Sequence, residues 1–584
     1  MLTRRAAQRT GGVTSLADVV KRIEQWTTYL NNVVPARVAE LKRDGAQAKW
    51  PHNAEYDVIV VGFGAAGASA ALDAADAGKR VLLIDRFDGG GSTRRSGGIY
   101  YAGAGTRAQR EAGVEDSVEQ MFRYLKKEND GAVDDSVIMR FCAESPSTFS
   151  WLEGRVGVPF RSARGATEYY DVKTSYPPDP TTLYNSGNEL AHPYSTIAAP
   201  AARGNRPFGE YLTGNILYNA FERAVAAHAL ITVAMHCKAA DVVLDTQGRV
   251  SGLDVDALLD ERAQSVHVML HEIGSGAPML DSSRKTDRLC ATRESELLAA
   301  AGVRVRLNAR AVVLCTGGFL FNRDMVRQYA PKYESFMPLG NLGDDGSGVA
   351  MAQRAGAKLS RMDRCSAWKF INPPLSFVSG VLVNAQGERV GNEDCYGATL
   401  ADFLIQKHDG KGWLVIDQAM WDQANADCMD PASGLQPDQR MQGLANLHKN
   451  NVKADALDEL AAKLNAPQLS RTLSEYNANA IQGKDPVFHK VGKFVHALSE
   501  PPFYAINMSM TGNKYWATPC MSLGGVCVDG VSGQVLREAG GVIQGLYAAG
   551  RTSVGVASNY YVSGLSLGDC VFTGRRAGRH IAKL

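Results

Sequence analysis

The sequence predicts an α/β fold with a parallel sheet at its centre, and three observations carry that prediction. A β-branched run over 56–61 leads into Gly-x-Gly-x-x-Gly and an alanine-rich helical stretch. A second buried-strand run follows over 80–84, ending at an aspartate. Two later segments, 309–314 and 545–551, each run an apolar strand into a glycine turn. Short apolar runs without polar alternation, separated by helices, are how strands covered on both faces read.

The chain has 584 residues, too many for one ordinary core, so two or more domains are expected. Apolar residues make up 45% and charged residues 21%, as in globular proteins with a substantial core. The 59 glycines exceed the usual share of roughly 7%. They cluster without a repeat, which marks special backbone geometry and not low complexity. With 63 basic and 61 acidic residues and no basic stripe, nucleic-acid binding as the main task is excluded.

The 10 cysteines stand singly and form no Cys-x-x-Cys pair. Reduced, mostly buried thiols in a cytoplasmic protein are expected. The eleven histidines lack ligand spacing, so no metal is expected. No apolar run reaches the roughly 20 residues of a membrane span. The basic stretch at 1–12 has no apolar run behind it and reads as a frayed end, not an export signal. Over 15–43, Leu16, Val19, Val20, Ile23, Trp26 and Leu30 recur at helical spacing, predicting a helix packed on the body. Pro35 should break or kink it.

The 56–85 stretch is one βαβ unit. Gly62 allows the tight turn, Gly64 lets a pyrophosphate approach the backbone, and Gly67 lets helix and strand pack closely. Asp85, 23 residues after Gly62, stands where a ribose-binding acid is expected. Phosphate would then sit on the helix start at Ala65 and Ala66. This is a Rossmann-like dinucleotide site. After Asp85 comes a second small-residue loop, 86–98 (RFDGGGSTRRSGG), where an NAD domain would continue into a helix. A long cofactor lying extended across the sheet edge, such as FAD, accounts for it. The later CTGGF (315–319), GDDGSG (343–348) and GLYAAGR (545–551) segments agree.

In this order the motifs resemble the fumarate reductase and 3-ketosteroid dehydrogenase flavoprotein superfamily, from about Tyr56 to the end, with a less familiar stretch over 165–304. The resemblance implies a Rossmann-like, discontinuous FAD-binding domain with an inserted α+β substrate-capping domain. The expected boundaries are an N-terminal helical extension (1–50), the first part of the FAD domain (51–360), the cap (361–510, helical over 455–464 and 469–483) and the last part of the FAD domain (511–584). The segment 256–296 reads as an irregular surface excursion.

Expected cofactor contacts are Gly62, Gly64, Ala65, Ala66, Gly67, Asp85, Arg86, Ser92, Thr93, Ser96, Gly97, Gly98, Thr316, Gly317, Gly318, Asp345, Gly550 and Arg551. Leu565, Ser566 and Leu567 complete the set. Some members of the superfamily bind flavin covalently through a histidine near the second glycine loop. None lies between His52 and His192, so non-covalent FAD is expected.

The ending SNYYVSGLSLGDC (558–570) separates branches. Where fumarate reductases carry the histidine and arginine that hold a dicarboxylate, this sequence has Ala557 and Tyr561. A carboxylate clamp needs a guanidinium, so a neutral substrate is expected. The same ending and NEDCY (392–396) are similar to the 3-ketosteroid Δ4-dehydrogenase branch, whose Tyr, Tyr and Ser hydroxyls would map onto Tyr396, Tyr561 and Ser563. The resemblance implies removal of a C4 proton from a saturated 3-ketosteroid and hydride transfer from C5 to flavin N5, with an external quinone- or dye-like electron acceptor. Trp368, Phe370, Ile371, Pro373, Pro374, Leu375 and Phe377 stand as candidate pocket walls or ordinary cap core. The alternatives are a Δ1-dehydrogenase, an ene-reductase acting on another neutral ketone or enone, and a flavin-binding protein without turnover.

Overall fold

Val58–Val61 is wholly apolar and wholly buried, and it lies inside a six-stranded sheet. The computed structural model describes residues 16–44, 50, 55–161, 182–209, 212–279, 283–513, 515 and 517–584. The basic stretch at 1–12 lies outside them. Across the sheet run Gln534–Leu536, Val542–Ala548, Ala311–Leu314, Val58–Val61, Val81–Ile84 and Ile231–Ala234. Val58 stands opposite both Ala311 and Val81, and Val312 opposite Leu546. The pairings are parallel except the edge hairpin of Gln534–Leu536 with Val542–Ala548. The sheet thus joins strands from four separate parts of the chain.

One face is covered by Ala65–Asp76, whose alanines let a second helix come close. That helix, Leu565–Ile581, presents Gly574 and Gly578, where any Cβ would collide with the carbonyl oxygens of Ala66 and Ala70. Interhelix distance follows the side chains at the contact, and here they are the smallest available. Gly67 is likewise fixed by close approach, because a Cβ there would overlap the Gly62 carbonyl oxygen.

A four-stranded antiparallel sheet of Val381–Val383, Trp413–Ile416, Phe503–Asn507 and Asn451–Ala454 forms a second unit. Around it lie helices Gly397–Lys407, Gln418–Met429, Pro437–His448, Leu457–Leu464 and Leu469–Ala480.

The 256–296 segment corrects the sequence reading. It is not irregular: after strand Val250–Leu258 it forms helices Glu261–Gly276 and Lys285–Ala301. Asp260 caps the first through the backbone N–H groups of Arg262 and Ala263. On the second helix the buried face carries Thr286, Asp287 and Glu294 beside Cys290 and Leu297, so polar residues interrupt the apolar period. Against this hairpin pack Leu30, Val34, Val38 and Leu41. The expected break near Pro35 is a π-helical turn, Tyr29–Val33, between Leu16–Thr28 and Val34–Asp44. Pro35 falls in the first turn of the latter helix, where a missing N–H is harmless. No helix of the described residues is long and apolar enough to cross a membrane.

Candidate active site

Glycine turns meet at the carboxyl ends of the central strands. Gly62 N–H donates to Ile84 O at 2.8 Å, tying the first turn to the neighbouring strand. The helix behind it starts at Gly64, which brings no side chain of its own to cap it. Thr93 Oγ1 reaches in from the second loop and accepts the Ala65 N–H at 3.0 Å. Ser96 Oγ donates to Thr93 O and accepts from Gly98 N–H, and Gly97 O accepts from Thr213. Thr316 and Thr552 hydroxyls meet at 3.2 Å, while Gly550 N–H is held by Thr573. Leu565, Ser566 and Leu567 form the first turn of a second helix that also lacks a side-chain cap, at Gly564. Two helix starts with glycine N-caps, and backbone packed too tightly for side chains, fit an extended pyrophosphate cofactor such as FAD.

Asp85, Arg86 and Asp345, among the expected contacts, also hold the loops to one another. Asp85 accepts the backbone N–H of Phe63 and Phe87 at 2.8 Å and of Gly89 at 3.3 Å. It therefore holds the two loops together, and any ribose hydroxyl has to share its oxygens. Arg86 grips Glu294 with two bonds of 2.7 Å and Asp345 with one of 2.6 Å. Burial opposes the charge on Glu294, yet the adjacent Arg86 holds its carboxyl well below the usual range. Arg86 and Asp345 thus neutralise each other and fasten the hairpin helix to the loop.

The residue missed is Asp344, the first acid of GDDGSG. One oxygen accepts from Arg551 at 2.8 Å and Gly318 N–H at 3.0 Å. The other accepts from the Ser92 hydroxyl and from Asn341 N–H at 2.9 Å. A single buried carboxylate gathers the second, third and last glycine segments. Adjacent acids give no pattern to tell which turns inward.

Tyr396 and Tyr561 meet across Trp368. The indole N–H donates to the Tyr396 hydroxyl at 3.2 Å, and the Trp368 ring meets Tyr561 edge-on with 5.4 Å between centroids. Phe370 packs edge-on against Tyr396 at 5.5 Å. The Tyr561 hydroxyl accepts Gly564 N–H at 3.3 Å. Ser563 is half-buried on the same turn, its N–H donating to Ser186 O at 3.0 Å. Tyr396 lines a cavity walled by Phe370, Ile371, Leu375, Val378 and Phe494; Tyr561 lines a second one with Ala398 and Thr399. Of the other candidate walls, Trp368 belongs to the tyrosine cluster and Phe377 to the main core. Arg364, which also lines the second cavity, is paired with Asp402 at 3.2 Å.

The segment carrying Tyr396 is anchored by buried charges. Arg389 binds both Glu393 and Asp485 through bonds of 2.6–2.9 Å, and Lys490 Nζ lies 3.0 Å from Glu393. Breaking such a buried pair costs on the order of 3–5 kcal/mol. Lys369, between Trp368 and Phe370, is fully buried, and burial lowers it to about 7; a lysine inside the apolar run WKFINPP was the available signal.

A dinucleotide cradle joined to the Tyr396, Trp368 and Tyr561 cluster defines a flavin-dependent oxidoreductase. Residues 57–567 match the FAD binding domain family, and the chain belongs to that family. It is 34% identical over 517 residues to a 3-oxo-5-alpha-steroid 4-dehydrogenase of Comamonas testosteroni, covering 85% of this chain and 92% of that protein. The solved structure of 3-ketosteroid-delta4-(5alpha)-dehydrogenase from Rhodococcus jostii RHA1, in complex with 4-androstene-3,17-dione, is similar with a TM-score of 0.76. Its identity is 29%, covering 92% of this chain and 99% of that one. A 3-oxosteroid 1-dehydrogenase of Mycobacterium tuberculosis is 27% identical over 592 residues, covering 90% of this chain and 98% of that protein.

Proposed function

We propose that this chain oxidises a saturated 3-ketosteroid to the 4-ene-3-ketosteroid. The observation that carries the reading is the pairing of Tyr396 and Tyr561 about Trp368 beside an apolar cavity. At the two positions where fumarate reductases hold a dicarboxylate, Ala557 is buried and Tyr561 packs on Trp368, so no cation there favours an anionic substrate. The similarity to steroid 4-dehydrogenases favours the Δ4 position over Δ1.

A C–H beside a ketone becomes acidic when donors stabilise the enolate charge developing on the oxygen. Tyr561 or Ser563 removes the C4 proton, and Tyr396 polarises the site or relays the proton. A C3 oxygen at this turn would compete with the Tyr561 hydroxyl, at 3.3 Å, for the Gly564 N–H. The apolar walls on the Tyr396 side, Phe370, Ile371, Leu375, Val378 and Phe494, exclude water there. FAD, when bound, supplies the two-electron acceptor for the C5 hydride; the cradle of Gly62, Gly64 and Gly67 holds it without a covalent bond. A quinone- or dye-like acceptor then reoxidises the enzyme, and the free, largely buried thiols fit a cytoplasmic setting.

The test is anaerobic mixing with 5α- and 5β-saturated 3-ketosteroids. Flavin bleaching and a new conjugated-enone absorbance are expected. Bleaching only by NADH or a reduced dye would indicate an ene-reductase, and a 1-ene product a Δ1-dehydrogenase. No turnover with any of these would leave a flavin-binding protein.

A further inference from the structure

We propose that Asn188, backed by Glu128, is a positioning residue that sets the distance between Tyr396 and the Tyr561–Ser563 turn. The proposal rests on the reading of those three hydroxyls as the reacting set.

Asn188 is wholly buried and comes from a segment far in sequence from both loops. Its Oδ1 accepts the Tyr396 N–H at 2.7 Å. Its Nδ2 donates to Thr399 Oγ1 at 2.8 Å and to Glu128 Oε1 at 2.9 Å. Tyr396 is the N-cap of helix Gly397–Lys407 and supplies no side-chain cap itself, so the amide of Asn188 seats the helix start from outside. Two residues earlier, Ser186 O accepts the Ser563 N–H at 3.0 Å. The tripeptide 186–188 is therefore a wedge, touching Ser563 at one end and Tyr396 at the other. Its middle residue has no room for a side chain: a Cβ on Gly187 would overlap Val562 and the Tyr124 hydroxyl. The Asn188 N–H is fixed by that same hydroxyl at 2.9 Å.

Glu128 closes the arrangement. Its side chain holds Asn188, and its main-chain oxygen accepts the Tyr560 N–H at 3.1 Å, next to Tyr561. One residue at the end of helix Val118–Asn129 thus bears on both tyrosine loops. Proton transfer needs reacting atoms held to a fraction of an ångström. Asn188 does not line the cavity that Tyr396 lines, so it acts through Tyr396.

Asn188→Ala and Glu128→Ala in the flavin-loaded enzyme test this. Each is expected to lower kcat by about tenfold to a hundredfold, with KM moving less than about threefold and flavin content unchanged. Glu128→Gln, which keeps an acceptor for the Asn188 amide, is expected to restore kcat to within about threefold of the parent. The double variant Asn188→Ala/Tyr396→Phe is expected to be no slower than Tyr396→Phe alone, since both remove the same contribution. Wild-type kcat in Glu128→Ala, or losses that multiply in the double variant, would overturn the proposal, and Glu128→Ala decides it should Asn188→Ala not fold. Wild-type turnover in Tyr396→Phe is a separate result that removes the site reading itself.

Discussion

Trp368 donates its indole N–H to the Tyr396 hydroxyl across 3.2 Å. That bond occupies a lone pair of the hydroxyl oxygen and orients the group. Trp368→Phe keeps a ring against Tyr561 but withdraws the donor. Turnover should fall roughly fivefold to tenfold, as expected for one hydrogen bond of about 1 kcal/mol, with flavin retained. Unchanged steady-state rates would show that the bond has no part in the reaction.

Tyr561→Phe and Ser563→Ala each remove a hydroxyl from the turn before helix Leu565–Ile581. Loss of a general base is worth about a hundredfold or more. Each variant should keep its flavin absorbance while losing turnover on that scale. Near-normal rates in both would move the base elsewhere.

Asp344 binds Arg551, Gly318, Asn341 and Ser92. Asp344→Ala leaves the buried guanidinium of Arg551 unpaired, at about 3–5 kcal/mol, and frees three loops of the cradle. The purified variant should be colourless, or regain flavin only at raised concentration. Full flavin occupancy after dialysis would contradict this.

No histidine lies between His52 and His192 to link the flavin. After acid precipitation the yellow chromophore should therefore appear in the supernatant. Flavin that stays with the pellet would show a covalent link.

Burial raises the Glu128 carboxyl to about 7. Between its unfolded value near 4.5 and 7, the native state binds a proton that the unfolded chain has released. Stability from this group is complete below 4.5 and is lost as pH rises to 7. Glu128→Gln does not titrate, so its melting temperature relative to the parent should climb between pH 5 and pH 8. The difference corresponds to at most about 3 kcal/mol. A constant difference across that range would show that Glu128 does not titrate there.

What can be read in advance follows from how local the cause is. Val58–Val61, the Gly62–Gly67 turn and helix Ala65–Asp76 are legible because strand, turn and helix each have a local pattern. Tyr396 and Tyr561 are found only through a family resemblance, since a lone tyrosine carries no signal. The Glu261–Ala301 hairpin is obscured because Asp287 and Glu294 occupy buried positions, Asp287 paired with nearby Arg284 and Glu294 with Arg86 far along the chain. Asn188 is invisible for the same reason: its bonds reach residues 60, 208 and 211 positions away. Asp345 shows the converse, an acid whose motif position suggested a ligand while its oxygens hold Arg86 and the Ser347 N–H.

Because Ala311–Leu314 stands between Val58–Val61 and Val542–Ala548, and helix Leu565–Ile581 packs on Ala65–Asp76, the central sheet and its helix layer are complete only once residues 534–581 have been made. During synthesis the amino-terminal half waits with an open sheet edge and an uncovered alanine face, a state prone to sticking to its neighbours. A ribosome stalled before residue 542 carries a chain that no amount of flavin can complete.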